Sequence, residues 1–398
     1  MQTDAHAVAI TDANLAEDRF SRFGLIEWWD QQKLRDAKIL VVGAGAIGNE
    51  VLKNLALLGV GQVLVIDLDL IESSNLSRSV LFRPGDVGRR KAHVAAERTR
   101  DIYCDCQTSS ISGNVMHDVG LGVFGWADVI LGALDNREAR LWLNRASWKM
   151  NRPWIDAAIE GMNGVVRAFL PGEPPCYECT LGEVDWKILE RRMSCNLLTR
   201  RDMEMGKTPT TPTTSSVIAG IQVQEALKYL HGLPVLSGKG YVFEGMNHTS
   251  YVVEYTSNDD CFSHEVYRDF RSWPKSCDET TLAEVYAYAE EELGSREVVL
   301  DFSRDIIHTL RCPRCNTVTE AFRCVGALSS HEGLCPSDGE MREVTTIHGY
   351  GGTEPYGNRT IRSLGLPPYD VFAARSRERE IQILVQGDYA EVLGGFSR

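Results

Sequence analysis

The sequence predicts an α/β protein with two parts: a large domain built on a mostly parallel sheet, then a smaller α+β domain. An apolar strand over residues 38–42 runs directly into a glycine-rich turn at residues 43–48, and a helical stretch over residues 49–58 follows. A second apolar strand occupies residues 63–67. Strand, helix and strand in succession indicate a parallel sheet. The last third of the chain instead shows an amphipathic helix and alternating strands.

The glycine-rich turn is the first candidate binding element. Gly43, Gly45 and Gly48 form the pattern G-x-G-x-x-G at the start of a helix, where backbone N–H groups bind phosphate. Asp67 closes the second strand about 20 residues past the turn, where a carboxylate binds a ribose hydroxyl in Rossmann-like folds. These two features alone are equally typical of a dehydrogenase.

Polar residues beyond Asp67 favour a triphosphate over a nicotinamide dinucleotide. They are Asp69, Asn75, Arg78 and Lys91. A nicotinamide enzyme needs an apolar slot in this region, whereas an amide and two cations beside the phosphates stabilise a pentavalent phosphorus. The sequence therefore predicts chemistry at phosphorus, and a dehydrogenase becomes a distant alternative.

This region resembles the adenylation domain shared by ubiquitin-like-protein-activating enzymes and by ThiF- and MoeB-type adenylyltransferases of thiamine and molybdopterin biosynthesis. The resemblance implies that residues 19–270 form the adenylation domain, after a flexible amino terminus at residues 1–18. It implies ATP and Mg²⁺ as ligands, with Arg78 and Lys91 as catalytic cations. The implied nucleotide-binding residues are Gly43, Gly45, Gly48, Asp67, Asp69, Asn75, Arg78 and Lys91.

Two further residues extend the predicted site. Asp135 ends an apolar strand over residues 128–135, and carboxyl ends of strands hold ligands in open α/β sheets, so we expect Asp135 to bind Mg²⁺. The alternative role for Asp135 is the N-cap of the next helix. Arg22 lies in a segment that resembles the family's amino-terminal segment, which implies a catalytic arginine supplied to a partner subunit of a homodimer. Its alternative is an ordinary surface arginine.

The chain has eleven cysteines, and many of them stand in metal-ligand spacings. Cys176, Cys179, Cys261 and His264 offer three sulfurs and one imidazole for a tetrahedral Zn²⁺. A competing interpretation pairs Cys176 and Cys179 with Cys312-Pro-Arg-Cys315. Four protein ligands would leave no position for a reacting water, so the ion would be structural.

A second structural zinc site is expected in a ribbon-like insertion at residues 311–339. Its predicted ligands are Cys312, Cys315 and Cys335, completed by Cys324 or by His331. For both sites the alternative is that the cysteines are simply buried thiols.

A long polar connection over residues 180–214 is the place where this family's members differ. In ubiquitin-like-activating enzymes a crossover segment here carries a nucleophilic cysteine, and Cys195 lies 16 residues past Cys179. Arg191 and Arg192 precede it and would favour its thiolate. The resemblance thus implies a catalytic Cys195 that forms a thioester, against the alternative of a buried loop thiol.

Residues 275–398 resemble, by pattern, a ubiquitin-fold domain that recruits a conjugating enzyme. The order is an amphipathic helix from residue 280, a strand at residues 297–301, the insertion, and an alternating strand at residues 380–385. The alternative is a small α+β packing module. The expected partners are a ubiquitin-like β-grasp substrate and a conjugating enzyme.

Composition limits the remaining classes of function. A net charge of −13 argues against a general nucleic-acid binder, and no apolar run is long enough to span a membrane. We expect a cytoplasmic enzyme. Two alternatives remain: an adenylyltransferase for a sulfur-carrier protein, which forms no thioester, and a scaffold subunit without catalytic activity.

Overall fold

The computed structural model describes residues 18–194, 209–329 and 331–396. Within them the chain forms two β-sheets with helices around them, which confirms the predicted α/β class with a second sheet domain. The predicted amino-terminal segment, apart from Asp18, and the predicted nucleophile Cys195 lie outside the described residues. None of the described helices is both long and apolar enough to cross a membrane.

The larger sheet has eight strands in the order β3-β2-β1-β4-β5-β6-β7-β8. The first five pair in parallel, and β5 to β8 pair antiparallel. The strands are β1 Lys38–Val42, β2 Gln62–Ile66, β3 Gln107–Ile111, β4 Val129–Gly132, β5 Trp154–Glu160, β6 Asn163–Phe169, β7 Lys239–Glu244 and β8 Thr249–Glu254. Because the chain runs outward from β1 to β3 and then returns to β4, the strand order reverses between β1 and β4, where such sheets bind ligands.

Helices cover both faces of this sheet. They are α1 Gln31–Asp36, α2 Ala46–Leu58, α3 Lys91–Ile102, α4 Leu121–Trp126, α5 Arg137–Lys149, α6 Glu183–Ser194 and α7 Pro212–Leu230. In β1, Ile39 and Val41 join one apolar core and Leu40 and Val42 join the other, as strict alternation requires. The helix predicted from residue 49 begins earlier, at Ala46, inside the glycine pattern.

The second sheet has six strands, with β11-β10-β13-β14-β9 in order and β12 paired to β10. β14 and β9 pair in parallel and the other pairs are antiparallel. The elements are β9 Phe270–Trp273, α8 Leu282–Leu293, β10 Val299–Arg311, β11 Val318–Cys324, β12 Glu343–Tyr350, β13 Val371–Arg375, β14 Glu380–Val385 and α9 Tyr389–Leu393. α8 buries Leu282, Val285, Ala289 and Leu293, a helical spacing of apolar residues.

The two sheets share a core and a buried polar contact. Arg304 in β10 donates hydrogen bonds of 3.0 Å to the carbonyl oxygens of Met116 and Val119 in the loop before α4. Asp370 accepts from the backbone N–H of Leu121 at 2.8 Å, and its carboxylate lies 3.6 Å from the Arg304 guanidinium. Arg304 and Asp370 are both buried. The second domain therefore holds in place a loop of the first.

Candidate nucleotide and metal sites

A cavity of about 1130 Å³ opens at the carboxyl ends of β1, β2, β4 and β5. This is the edge of the sheet at which the strand order reverses. Among its lining residues are most of the predicted nucleotide-binding and catalytic residues: Gly43, Gly45, Asp67, Asp69, Asn75, Arg78, Lys91 and Asp135. The structure thus brings together residues that are up to 92 positions apart in sequence.

The three glycines of the turn have different surroundings. Gly43 has φ +99°, and a Cβ there would lie 2.4 Å from the carbonyl oxygen of Ala133. A Cβ on Gly48 would lie 1.9 Å from the carbonyl oxygen of Gly43. A Cβ on Gly45, in contrast, would meet no atom within 4 Å. Gly43 and Gly48 are therefore required by packing, whereas Gly45 leaves open space in front of the helix.

Gly45 is also the N-cap of α2, and no side chain caps this helix end. The first N–H groups of a helix have no partner within the helix, and the helix dipole favours a negative charge beside them. A phosphate can approach them closely because Gly45 has no side chain. The turn and α2 together therefore form an anion-binding end that faces the cavity.

The carboxylate of Asp67 holds the glycine-rich turn in place. It accepts hydrogen bonds from the backbone N–H groups of Ala44 at 2.7 Å and Asp69 at 2.8 Å. Burial raises the pKa of Asp67, and the positive charge of Lys91 partly opposes that rise. Lys91 itself forms an ion pair with Asp69 at 2.7 Å.

The cavity wall beyond β2 carries the amide and the arginine. Asn75 is buried, and its Oδ1 accepts a hydrogen bond from the backbone N–H of Glu72 at 2.9 Å. Arg78 is half-buried and donates to the carbonyl oxygen of Ser74 at 2.7 Å. Each side chain is thus oriented by its own loop, which leaves Arg78 as a cation at the rim of the cavity.

Asp135 is exposed and lines the cavity, three residues past the end of β4 at Gly132, so the strand is shorter than the predicted one. The alternative role of helix N-cap is wrong, because the N-cap of α5 is Asn136, whose side chain accepts from the backbone N–H of Ala139 at 2.8 Å. Asp135 remains available to a ligand in the cavity. An exposed carboxylate is a hard oxygen donor of the type that Mg²⁺ binds, so its chemistry fits the predicted metal.

The sequence analysis missed a buried charge cluster in the cavity wall. Asp156 in β5 is fully buried and forms ion pairs with Arg140, at 2.9 Å, and with Arg167. Burial by itself raises the pKa of Asp156, but the two arginines outweigh it and hold the pKa below its usual value. The guanidinium of Arg167 also lies 4.9 Å from the ring centre of Tyr177. A charged residue inside an otherwise apolar strand was the available sequence signal, since such residues are almost always paired.

Arg22 does not line this cavity. It is exposed, and its neighbour Phe20 packs near Gly59, which ends α2. A helix of 13 residues is about 20 Å long, so this segment lies near the end of α2 opposite the glycine turn. A role of Arg22 in catalysis would therefore require the cavity of another copy of the chain.

Cys176, Cys179, Cys261 and His264 meet at one point. The Sγ atom of Cys176 lies 3.8 Å from Sγ of Cys179 and 3.7 Å from Sγ of Cys261. Sγ of Cys179 lies 3.4 Å from Nε2 of His264. Tetrahedral Zn²⁺ with bonds of about 2.3 Å to sulfur places two sulfurs about 3.8 Å apart. The donor set and spacing thus fit a structural zinc ion.

Side chains around this cluster hold its two halves together. Arg145 in α5 makes two hydrogen bonds of 3.1 Å to the carboxylate of Glu178, which also accepts from the hydroxyl of Ser263. Trp148 stacks on the ring of His264 with centroids 4.5 Å apart. Contacts of this kind orient metal ligands.

A second cluster contains Cys312, Cys315 and Cys335, but its fourth member is Asp338. The predicted fourth ligand is corrected accordingly: Cys324 is buried, with its Sγ 3.1 Å from the carbonyl oxygen of Gly365, and His331 is exposed outside the cluster. Since Cys176 and Cys312 belong to separate clusters, the alternative that joined the two CxxC pairs in one site is wrong.

Described residues on both sides of the segment that carries Cys195 line the cavity. Asp185 in α6 lines the cavity and pairs with Arg137 at 2.8 Å. On the other side of the gap, Thr210 also lines the cavity. Residues 195–208 therefore connect two elements that both contact the candidate nucleotide site.

The reversal in strand order, the uncapped helix end and the polar cavity wall define a nucleotide-binding α/β protein whose site is arranged for phosphates. The comparison with known families then identifies it further. The chain belongs to the ThiF family, whose signature matches residues 17–263.

Curated relatives are activating enzymes for ubiquitin-like proteins. One is a ubiquitin-activating enzyme E1-like protein of Saccharomyces cerevisiae, 36% identical over 38% of this chain and 24% of the relative. Another is the NEDD8-activating enzyme E1 catalytic subunit of Caenorhabditis elegans, 38% identical over 38% of each chain. A third, ubiquitin-like modifier-activating enzyme 5 of Oryza sativa subsp. japonica, is 29% identical over 52% of this chain and 51% of the relative. The chain thus spans between about a quarter and a half of the length of these relatives.

Solved structures with a similar fold include Escherichia coli MccB with AMPCPP and MccA. This structure is 25% identical, has a TM-score of 0.53, and is matched over 64% of this chain and 76% of MccB. A second MccB structure, with ATP, is also 25% identical, with a TM-score of 0.52, over 63% of this chain and 75% of MccB. About two thirds of this chain therefore shares its architecture with a protein solved with an adenine nucleotide.

Proposed function

We propose that this chain uses ATP to adenylate the carboxy terminus of a ubiquitin-like protein and then transfers that protein to Cys195 as a thioester. The observation that carries the first half is the cavity itself, where an uncapped helix end faces the cations of Arg78 and Lys91. A helix end and cations of this kind bind phosphate oxygens and stabilise charge that develops on them, which a hydride transfer does not need. The second half is carried by the relatives, which are named as activating enzymes for ubiquitin-like modifiers.

ATP would bind with its phosphates in front of Gly45 and the first turn of α2, where the cavity has room for them. The ribose would lie over Asp67, whose carboxylate is already fixed by two backbone N–H groups. Asp135 would hold Mg²⁺, which supplies positive charge to the phosphate oxygens when bound. Arg78, Lys91 and a partner subunit's copy of the arginine at position 22 would add further positive charge.

In the first step a carboxylate oxygen of the substrate attacks the α-phosphorus of ATP, and the bond to the β-phosphate oxygen breaks. Pyrophosphate leaves with its negative charge, which the site's cations stabilise, and the product is an acyl-adenylate. The protein's own contribution is to hold the carboxylate and the phosphorus in line. Arg140 and Arg167, fixed by Asp156, add a rigid and positively charged wall beside this position.

In the second step the thiolate of Cys195 attacks the acyl carbon, and AMP leaves. The mixed anhydride makes this attack favourable. Asp185, at the cavity, and Ser194, at the end of α6, are nine residues apart, about 14 Å along the helix axis. The proposal therefore includes a movement or unwinding of α6 that brings the nucleophile to the adenylate.

The partners follow from the same proposal. The substrate is a small β-grasp protein, and a conjugating enzyme receives it from Cys195, with the second sheet domain as its docking module. A homodimer would supply Arg22 to each cavity. The reducing cytoplasm is the expected compartment, because it keeps a thiolate nucleophile and zinc-bound cysteines free of disulfides.

The test combines two assays on the purified chain with candidate β-grasp proteins. Exchange of labelled pyrophosphate into ATP reports adenylation, and a conjugate on non-reducing gels that disappears with thiol reports the thioester. We expect Cys195→Ala to keep the exchange and abolish the conjugate, and Lys91→Ala to abolish both. Cys104→Ala, at an exposed cysteine, is the matched control and should change neither. A conjugate that survives Cys195→Ala would refute the thioester step.

Adenylation without a thioester is the second candidate, and a specific observation favours it. MccB, which was solved with AMPCPP and MccA, shares its fold with this chain over three quarters of its own length. On this alternative, activity with a carrier protein or peptide would be unaffected by Cys195→Ala. Full product formation by the Cys195→Ala variant would support adenylation without a thioester.

A further inference from the structure

We propose that the region between β10 and β12 binds a second Zn²⁺ through Cys312, Cys315, Cys335 and Asp338, with Asp338 as a true ligand in the place of a fourth cysteine. The proposal concerns the second domain and does not depend on the proposed adenylation. It rests on two loops of matching sequence and backbone and on the spacing of four ligand atoms.

The first observation is a repeated sequence pattern. Cys312-Pro-Arg-Cys315 is followed by Asn316, and Cys335-Pro-Ser-Asp338 is followed by Gly339. Both segments therefore read Cys-Pro-x-ligand, with a residue that tolerates a left-handed backbone directly after it. Asp338 occupies in the second loop the position that Cys315 occupies in the first.

The backbone of the two loops agrees with this correspondence. The residues after the ligands have positive φ, +57° at Asn316 and +71° at Gly339. The N–H of Asn316 donates to the carbonyl oxygen of Cys312 at 3.0 Å, and the N–H of Gly339 donates to that of Cys335 at 2.9 Å. The same turn thus forms twice, and each turn presents its first and fourth side chains to one point.

The distances between ligand atoms suit a tetrahedral ion. The Sγ atoms of Cys315 and Cys335 are 3.7 Å apart, and Sγ of Cys312 lies 3.5 Å from the Asp338 carboxylate oxygens. Zinc bonds of about 2.3 Å to sulfur and about 2.1 Å to oxygen predict separations of about 3.8 Å and about 3.6 Å. One ligand atom from each of the four residues lies within 4.8 Å of the others.

The apolar core of this region is small. The apolar cluster here contains only three buried residues, Ile307, Leu310 and Leu328. The loop from β11 to β12 has one isolated backbone bridge, Leu334 to Met341. Regions with so small a core commonly depend on a metal, so the ion would fasten the end of β10 to this loop.

Zinc content gives the first test, measured on the full-length protein by mass spectrometry of the metals. We expect two Zn²⁺ per chain in the wild type and one in Cys335→Ser. Circular dichroism would show that the variant keeps its overall fold. One Zn²⁺ per chain in both proteins would overturn the proposal.

Cobalt substitution gives the test of Asp338 itself, because the visible bands of Co²⁺ depend on how many thiolates bind it. Asp338→Cys should keep two metal ions and shift these bands toward a four-sulfur spectrum. Glu340→Cys, at the neighbouring exposed acidic residue outside the cluster, is the matched control and should leave the bands unchanged. If the two variants give the same spectrum, Asp338 is not a ligand.

Competition with a chelator gives a third readout. Asp338→Asn removes the charge of the ligand while keeping its size, so it should weaken binding of the second ion about tenfold or more, since even the loss of a residue that only orients a ligand costs that much. The first ion should be released at the wild-type rate. Equal retention of both ions by Asp338→Asn and the wild type would contradict the assignment.

Discussion

Replacing Arg304 tests how strongly the second domain supports the nucleotide cavity. Arg304→Met keeps most of the side-chain volume but removes the positive charge next to the buried carboxylate of Asp370. It also leaves the carbonyl oxygens of Met116 and Val119 without their 3.0 Å hydrogen bonds. Breaking a buried ion pair from one side costs about 3–5 kcal/mol of unfolding free energy. We therefore expect the melting temperature to fall by about 4–6 °C in a chain of this length, given an unfolding entropy of about 2.1 cal/mol/K per residue.

Calorimetric unfolding measures this loss, and titration calorimetry with ATP measures its effect on the cavity. Met116 lines the cavity, so loosening its loop should weaken ATP binding several-fold even where the protein is still folded. Adding Asp370→Leu to Arg304→Met removes the unpaired buried charge and should recover part of the stability but not the ATP affinity.

Arg377→Met is the matched control, because Arg377 forms an exposed ion pair with Glu297 and should change stability by no more than about 0.5 kcal/mol. If Arg304→Met lowers the unfolding free energy by less than about 1 kcal/mol, the reasoning is refuted, since removing one partner of a buried ion pair should cost more than that.

Three further predictions concern the first domain. Gly48→Ala should disrupt the turn, because its Cβ would lie 1.9 Å from the Gly43 carbonyl oxygen, whereas Gly45→Ala should fold normally and lose ATP affinity. Circular dichroism measures the folding of each variant, and calorimetry measures its ATP affinity. Equal unfolding of the two variants would contradict the different roles assigned to these glycines. Asp156→Asn should be destabilised at neutral pH. Because the pKa of Asp156 is lowered in the folded state, the ionised carboxylate stabilises the protein above about pH 4, and this stabilisation is lost as the pH falls further. The difference in unfolding free energy between Asp156→Asn and the wild type should therefore become smaller in acid. His264→Ala should release one Zn²⁺ per chain and lower the melting temperature, and an unchanged metal content would exclude this residue as a ligand.

The nucleotide turn could be predicted because its signals are local. Three glycines, the preceding apolar strand and Asp67 lie within 30 residues, and the carboxyl ends of parallel strands necessarily meet at one edge. Asp135 could be added for the same reason. The buried pairing of Asp156 with Arg140 and Arg167 was not predicted, because it depends on which strand neighbours which.

The second metal cluster shows a different limit of sequence reasoning. Counting cysteines favoured Cys324, but that residue lies in β11 with its sulfur next to Gly365. The repeated Cys-Pro pattern before Asp338 was visible in the sequence and would have identified the fourth member. Spacing was thus more informative than residue type. The contact of Arg304 with the loop of the first domain carried no sequence signal, because the two segments are more than 180 positions apart.

The contact of Arg304 with the loop before α4 has a practical consequence for work on the first domain alone. A truncation at residue 263, where the family signature stops, would strip two backbone carbonyls of their donors and uncover the side of the core on which Tyr369 and Val371 pack. The shortened chain would expose an apolar surface that favours aggregation, and one wall of its nucleotide cavity would be less firmly held. Chimeras between this chain and its relatives should therefore keep the two sheets together.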